Sequence, residues 1–545
     1  MLSRVIVAVA GLGVIAFAVG LVASRGVWPA PGTEGAPGHA VVVLVIATLA
    51  ASLLHAGACV AAHKKPPRLL FVLLVAATAR LVLLFGAPDP VLEGEPQRLR
   101  LEGRMVNLGL NPYQFRPSQL ADPDPEESAL PGPQLEMLLR ARAALAGSAD
   151  VPKPELAERP DLRTTMPPLG QWIGALADLF KPRSTRGYAY LVLVADSLAM
   201  FFLVLALRAM QLPAGWLLLY AWCPVLLKEG YVTLARDAFM MPALAGLVWC
   251  IASGRRLAAA VPVALCASLR PGFLLLLPVT ARRLGILGLL LACGLLALPL
   301  LPFLAHPTPP QAYLEGPLHV WRHVEYNSAF ESLARSLAAL LPLEADSSLI
   351  VAGVEIVQPG GPLGPLLAKV AAALALLGTA TYLTIRLVPG RTLPRTDRNA
   401  SLRELFALLA ALLLLQPVLL PQHALWLLPL LVVRPALSWL LLPGVLATAH
   451  LTHLRGPEAA DLPILGGRVS FRVLEFGLFG LLWLLDILWR PVLFPMPKDP
   501  QIGSVRDRAA GELAMGLDSI DVDAPDDGSG LEVVTLDADG YGALA

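Results

Sequence analysis

Two runs of charged residues in an otherwise apolar chain have the types and spacing that chemistry uses. In EPQRLRLEGRMVNLGLNPYQFRP, residues 95–117, Glu95, Arg98 and Glu102 fall three and four positions apart. That spacing sets all three on one face if the segment is helical. In KEGYVTLARD, residues 228–237, Lys228 and Glu229 are followed by Arg236 and Asp237. A positioned carboxylate can take the proton from an attacking hydroxyl, and a guanidinium can hold a developing anion. Asn327 and His423 stand in polar breaks between apolar runs and are candidates for hydrogen bonds to a bound substrate. An ordinary ion pair is the competing reading for each charge, and a helix cap is the competing reading for His423.

These residues must be positioned by membrane helices. A chain of 545 residues that is 56% hydrophobic and 15% charged has the composition of a polytopic membrane protein rather than of a soluble domain. A net charge of +1, with no basic patch interleaved with aromatics, gives no sign of nucleic-acid binding. The five cysteines, Cys59, Cys223, Cys250, Cys266 and Cys293, all sit in apolar runs without paired spacing and read as small core residues. No metal-ligand pattern is present.

A spanning helix takes roughly 20 mostly apolar residues, and about twelve such segments can be marked on that criterion. They lie near 5–24, 40–62, 69–87, 188–210, 212–228, 238–253, 286–304, 365–387, 403–419, 423–434, 436–453 and 471–489. The first has a cleaved signal peptide as its alternative, because Arg4 precedes a run that ends in small residues. The chain then divides into N-terminal helices (1–87), a polar loop (88–187), a helical bundle (188–495) and an acidic tail (496–545) expected to be disordered and cytoplasmic. The loop is expected to carry one helix near 133–146.

Basic residues favour cytoplasmic loops. This places 63–68, 253–256, 280–283 and the loop of Arg391, Arg395 and Arg398 inside, and makes 257–279 two half-spans or a re-entrant hairpin meeting at LRPG (269–272). Glu95, Asp237, Asn327 and His423 then share the outer face of the membrane.

Taken in order, these motifs resemble the polyprenol-phosphate-dependent mannosyltransferases of the GT-C type. Glu95, Arg98, Glu102 and Gly103, then Gly109, Asn111, Pro112 and Tyr113, fall at the positions of the family's D-x-x-R-Y-x-W-E-G and G-x-N-P-Y. Thr164 to Gln171 corresponds to T-x-Y-P-P-x-x-Q. Trp222, Pro224, Lys228, Glu229 and Asp237 correspond to W-N-P-L-x-x-K-E with H-x-D. EYNSAFESL resembles a W-x-x-N-x-x-F loop, and Pro421 to Trp426 resembles P-W-Y-x-x-W. The chain departs from the pattern at Glu95, where the family has Asp, and at Leu99, Leu101, Met166, Ala235 and the pair Gln422 and His423.

The resemblance implies an all-α transmembrane bundle of GT-C type at the inner (plasma) membrane. It implies transfer of a hexose, mannose in the family, from a polyprenyl-phosphate sugar to a glycan or glycolipid acceptor on the extracytoplasmic side, without cofactor or metal. On that reading Glu95 is the base and Asp237 a second catalytic acid. Arg98, Arg104, Arg236 and Arg322 hold the donor phosphate, and Glu102, Asn111, Tyr113, Gln171, Glu229, Asn327 and His423 contact substrate. The run Asn111-Pro112-Tyr113 has a structural reading too, as a fixed turn. A transporter or flippase and a catalytically silent relative acting in envelope assembly are the competing classes.

Overall fold

The first charged run forms a helix that ends where its glycine requires. The computed structural model describes residues 2–24, 38–86, 95–121, 132–147, 159–181, 184–306, 308–323, 327–328, 330, 348–351, 354–357, 363–386, 398–449, 461–464 and 467–493. The acidic tail expected over 496–545 lies outside them. Three long helices open the chain: α1 (Leu2–Ala23), α2 (Gly38–Lys64) and α3 (Leu69–Gly86). The polar region then folds as α4 (Glu95–Asn107), α5 (Pro117–Ala121), α6 (Gly132–Ala146) and α7 (Pro168–Phe180), with α6 where a loop helix is expected. Gly109 ends α4 in the left-handed region (φ 73°). Its N–H donates to Val106 O at 3.0 Å and that of Leu110 donates to Met105 O at 2.9 Å, the paired bonds of a Schellman cap that favours a residue lacking Cβ.

Next come α8 (Arg186–Ala209), α9 (Leu218–Ala221), α10 (Pro224–Tyr231), α11 (Met241–Ser253), α12 (Ala260–Leu269), α13 (Leu276–Ala297), α14 (Leu301–Leu304) and α15 (Pro310–His323). They are followed by α16 (Gly364–Arg386), α17 (Arg398–Leu415), α18 (Pro421–Ala424), α19 (Leu428–Val433), α20 (Leu437–Leu446) and α21 (Phe471–Leu493). The described residues are otherwise short turns and two antiparallel hairpins, β1 (Leu349–Val351) with β2 (Val354–Val357) and β3 (Asp461–Ile464) with β4 (Gly467–Ser470).

Five of the described helices are long and apolar enough to cross a membrane: Leu2–Ala23, Val41–Lys64, Leu69–Gly86, Arg186–Ala209 and Gly364–Ile385. The 24 residues of α8 extend about 36 Å at 1.5 Å per residue, more than the roughly 30 Å hydrocarbon core. A sixth crossing is available if Pro224–Tyr231 and Arg236–Ser253, bent by 111°, count as one broken span. The chain is a helical membrane protein. The described parts of the runs read as spans at 212–228, 423–434 and 436–453 form shorter, mostly buried helices, with Pro224 and Pro429 in the first turns of α10 and α19 and Pro443 inside α20. Proline removes a helical donor and clashes with the preceding turn. The run near 286–304 follows a kink at Gly285 (φ 66°) inside α13, and 257–279 breaks at Arg270 and Pro271, within LRPG.

One buried ion pair ties four elements together. Arg80 on α3 bonds to Asp196 on α8 and donates from Nη1 to Ala221 O (2.8 Å), while Tyr231 on α10 donates its hydroxyl to Asp196 Oδ2 at 2.8 Å. Charges at this depth are tolerated only when paired and hydrogen-bonded. Near the other end of the chain Asp486 on α21 accepts from the N–H groups of Leu437 (2.9 Å) and Ser438 (2.7 Å) and from Ser438 Oγ (2.5 Å). It thereby caps the N-terminus of α20 from a neighbouring helix.

Candidate functional site

The polar residues of α4 and of the strand-like run before α7 close into one network, because α4 and α7 touch backbone to backbone. A Cβ on Gly103 would come within 2.3 Å of the Gly174 carbonyl carbon, so glycine alone permits the approach. At that crossing Glu102, 2% exposed, uses both oxygens. Oε1 accepts from Arg98 Nε (2.7 Å), and Oε2 accepts from Thr164 Oγ1 (2.7 Å) and Gln171 Nε2 (2.7 Å). The rest of the Arg98 fork donates to the carbonyls of Arg159 (3.1 Å) and Leu162 (2.7 Å). Arg98, Glu102 and Gln171 thus hold the loop to α4 and α7, and the fork that sequence reasoning assigns to a phosphate is bonded to protein oxygens.

A second network gathers around Asp237. Leu234 at φ 55°, an uncommon conformation for a bulky residue, turns the chain after α10 and delivers Arg236 and Asp237 at the tip of the bend. Asp237 is 1% exposed. Arg270, at the break between α12 and the turn Pro271–Leu275, grips it bidentately, Nε to Oδ1 at 3.1 Å and Nη2 to Oδ2 at 2.6 Å. Trp426 Nε1 donates to Oδ1 at 2.8 Å, and the Arg270 guanidinium lies 5.6 Å over the Trp426 ring. His423 stands beside the pair, with Nε2 at 3.1 Å from Arg270 Nη2 and 4.0 Å from Asp237 Oδ2. Its Nδ1 accepts the N–H of Leu420 (3.2 Å) and faces Gln416 Nε2 at 3.1 Å. The Leu420 N–H on one side and Arg270 Nη2 on the other can only donate, so both ring nitrogens of His423 face donors. The helix-cap reading of His423 therefore holds together with its place beside Asp237.

The two networks meet at a small crevice of about 10 Å³, room for one water, lined by Leu99 and Met166 from the first side and by Arg236, Leu269 and Arg270 from the second. Arg236 Nη1 reaches Met166 Sδ at 3.3 Å. Position 95 lies one helical turn before Leu99 on the same helix. Its side chain is outside the described residues.

Other expected site residues are placed elsewhere. Arg104 pairs with Asp178 at 3.3 Å, and Asn107 joins it, donating to Asp178 at 2.9 Å. Asn111 donates to Thr308 Oγ1 (2.9 Å) and Phe303 O (3.2 Å) and accepts the N–H of Tyr113 (3.1 Å), the side-chain turn expected of Asn before Pro. Tyr113 donates to Met166 O at 2.7 Å and packs on Phe303 and Tyr313. Its phenol is pushed up by burial, with Glu102 and Tyr313 adding. Asn111 and Tyr113 thus bind protein in this structure. Glu229 pairs with Lys228 at 2.5 Å, both wholly buried. Asn327, at φ 54° and 4% exposed, and half-buried Arg322 have no described contact with the Asp237 network. No group of His, Cys, Asp and Glu among the described residues has the geometry of a metal site.

Sequence reasoning missed Arg270, whose signal is an arginine inside an apolar run just before a proline. Arg80 and Asp196, within runs read as spans, carry the same signal. No protein-family model, no curated protein and no solved structure matches the chain.

Proposed function

We propose that the chain is an integral membrane glycosyltransferase of GT-C type that transfers a hexose, mannose by resemblance, from a polyprenyl-phosphate sugar to a glycan or glycolipid on the extracytoplasmic face of the inner (plasma) membrane. In this reading the short and broken helices complete about twelve crossings of the roughly 30 Å core. The observation that carries it is the crevice where Arg236 and Arg270 meet the face of α4 that begins at Glu95. Two guanidinium groups against one buried carboxylate leave a net positive charge there, the electrostatics wanted by a departing polyprenyl phosphate.

Glu95 takes the proton of the acceptor hydroxyl as it attacks the anomeric carbon, and the sugar–phosphate oxygen bond breaks with its electron pair leaving on the phosphate. Asp237 holds Arg270 and, beside it, His423 in place for that anion. Arg98, Glu102 and Gln171 act one layer back, by fixing α4 against α7. Deleting the gene and analysing the envelope tests the reading. A glycan or glycolipid lacking one hexose is expected, restored by the wild-type chain, and an unchanged set of envelope glycans and lipids would contradict it.

A further inference from the structure

A cavity of about 300 Å³ lies between α17, the turn after α19 and α21. Phe406, Arg434, Trp439, Trp483, Asp486 and Ile487 wall it, and none of them lines the crevice beside Asp237. Trp483 (51% exposed) and Ile487 (62%) form its rim, and Leu481, Leu484 and Leu488 on the same helix are exposed too. An exposed apolar face on a helix of a membrane protein meets lipid, so the cavity opens toward acyl chains. It also sits at the basic end of the bundle. α19, which ends just before Arg434, packs against α9 and the turn Ala214–Leu217. That turn touches the loop 63–68, where Gly215 has no room for a Cβ against Pro67 O. Lys64, Lys65 and Arg68 of the loop are exposed, as is Arg403, one turn before Phe406 on α17. Charge of this kind marks the cytoplasmic side.

Of the two charges in the wall, Asp486 is already committed to α20, accepting from the N–H groups of Leu437 and Ser438 and from Ser438 Oγ. Arg434 is half-buried. Its guanidinium has five N–H donors, enough to serve a protein neighbour and a phosphate together. A cationic wall flanked by Trp439 and Phe406, with a mouth onto lipid, suits a ligand that has an anionic head and an apolar tail. Basic pockets between membrane helices on the cytoplasmic side hold such heads, and aromatic rings favour the same depth. At roughly 30 Å³ per water, the cavity's 300 Å³ equals about ten waters. That holds a phosphodiester and the start of one chain, and the rest of a lipid lies along the exposed face of α21.

We propose that this cavity seats an anionic phospholipid of the cytoplasmic leaflet, its phosphate on Arg434 and the first part of one chain against Trp439, Trp483 and Ile487. The site is independent of the transferase reading. A free phosphate ion would leave the aromatic wall and the apolar rim uncovered, whereas a lipid covers both.

The test is an equilibrium titration of the full chain, in detergent, with chain-labelled phosphatidylglycerol and with phosphatidylcholine carrying the same chains. Wild type is expected to prefer phosphatidylglycerol by about tenfold, the low end for a charge-assisted bond, and inorganic phosphate should not displace it. Arg434→Gln should abolish the preference. Arg256→Gln makes the same charge change at an exposed residue outside the cavity and should preserve it. Trp483→Ala should weaken both lipids by roughly three- to tenfold, through lost apolar contact at the rim. Trp483 is half exposed to lipid, so its variant folds even if Arg434→Gln does not. Equal binding of the two lipids by wild type overturns the proposal, as does a preference that survives Arg434→Gln or is lost equally in Arg256→Gln. Binding that Trp483→Ala leaves unchanged does the same, and displacement by inorganic phosphate would assign the cavity to a free anion instead.

Discussion

Gly103→Ala separates the helix crossing from every other contribution to the site. The added Cβ would meet Gly174 C at 2.3 Å, Gly174 O at 2.4 Å and Ala175 N at 2.7 Å. All three are backbone atoms of α7, so no side chain can swing away. Restoring ordinary contact at 3.4 Å or more moves α4 and α7 apart by about 1 Å, since core packing leaves no slack to absorb it. Glu102 Oε2 then loses Gln171 Nε2, now at 2.7 Å, because a further 1 Å passes the useful hydrogen-bond range. Overpacking costs about 1–3 kcal/mol, and a hydrogen bond to a charged group about 1.5–3 kcal/mol. The sum, about 2.5–6 kcal/mol, is a large part of the roughly 5–15 kcal/mol that stabilises a typical protein. Thermal unfolding in detergent, followed by size-exclusion recovery, is the assay. Gly57→Ala is the control, because nothing lies within 4 Å of its added Cβ and alanine is the better helix former. It should leave stability unchanged or slightly raised. Equal Tm values for Gly103→Ala and wild type would refute the close-crossing account of the first network.

Arg270→Lys keeps the charge but loses the fork on Asp237. It should slow transfer about ten- to a hundredfold or more, the rate equivalent of the roughly 1.5–3 kcal/mol of one charge-assisted bond, and unaltered steady-state turnover would remove Arg270 from the site. Single-cysteine labelling checks the membrane orientation drawn from charge. A cysteine at position 125 should react in intact cells and one at position 64 only after permeabilisation, and the reverse pattern would invert the topology.

The long helices were legible because their apolar runs come close to or exceed the roughly 30 Å of a bilayer core, as in α1, α3 and α8. The runs around Trp222, His423 and Trp439 fold as helices shorter than the roughly 20 residues of one crossing, a difference the sequence hides because apolar, largely buried segments and membrane helices share the same pattern. Pro224 and Pro429 mark where two of these shorter helices begin. In the site, the spacing of Arg98 and Glu102 announced an i,i+4 pair, which the structure contains. Spacing carries no information on where the remaining donors of Arg98 go, and they end on carbonyls some sixty residues away in sequence. Asp237 and His423 were placed on one face by topology alone. The residue that joins them, Arg270, was passed over because LRPG was weighed as a topological break and not as a charge at depth.

The central claim stands most directly on one measurement: transfer of radiolabelled mannose from polyprenyl-phosphate mannose to envelope acceptors by the purified chain in nanodiscs, wild type against Glu95→Gln and Glu95→Asp. Wild type should transfer. Glu95→Gln should be slower by about 10²–10⁴, the contribution of a positioned base, with Glu95→Asp between the two because it keeps the carboxylate and shortens its reach. Full activity in Glu95→Gln, or a folded wild type that transfers neither mannose nor another hexose from a polyprenyl phosphate, would contradict it.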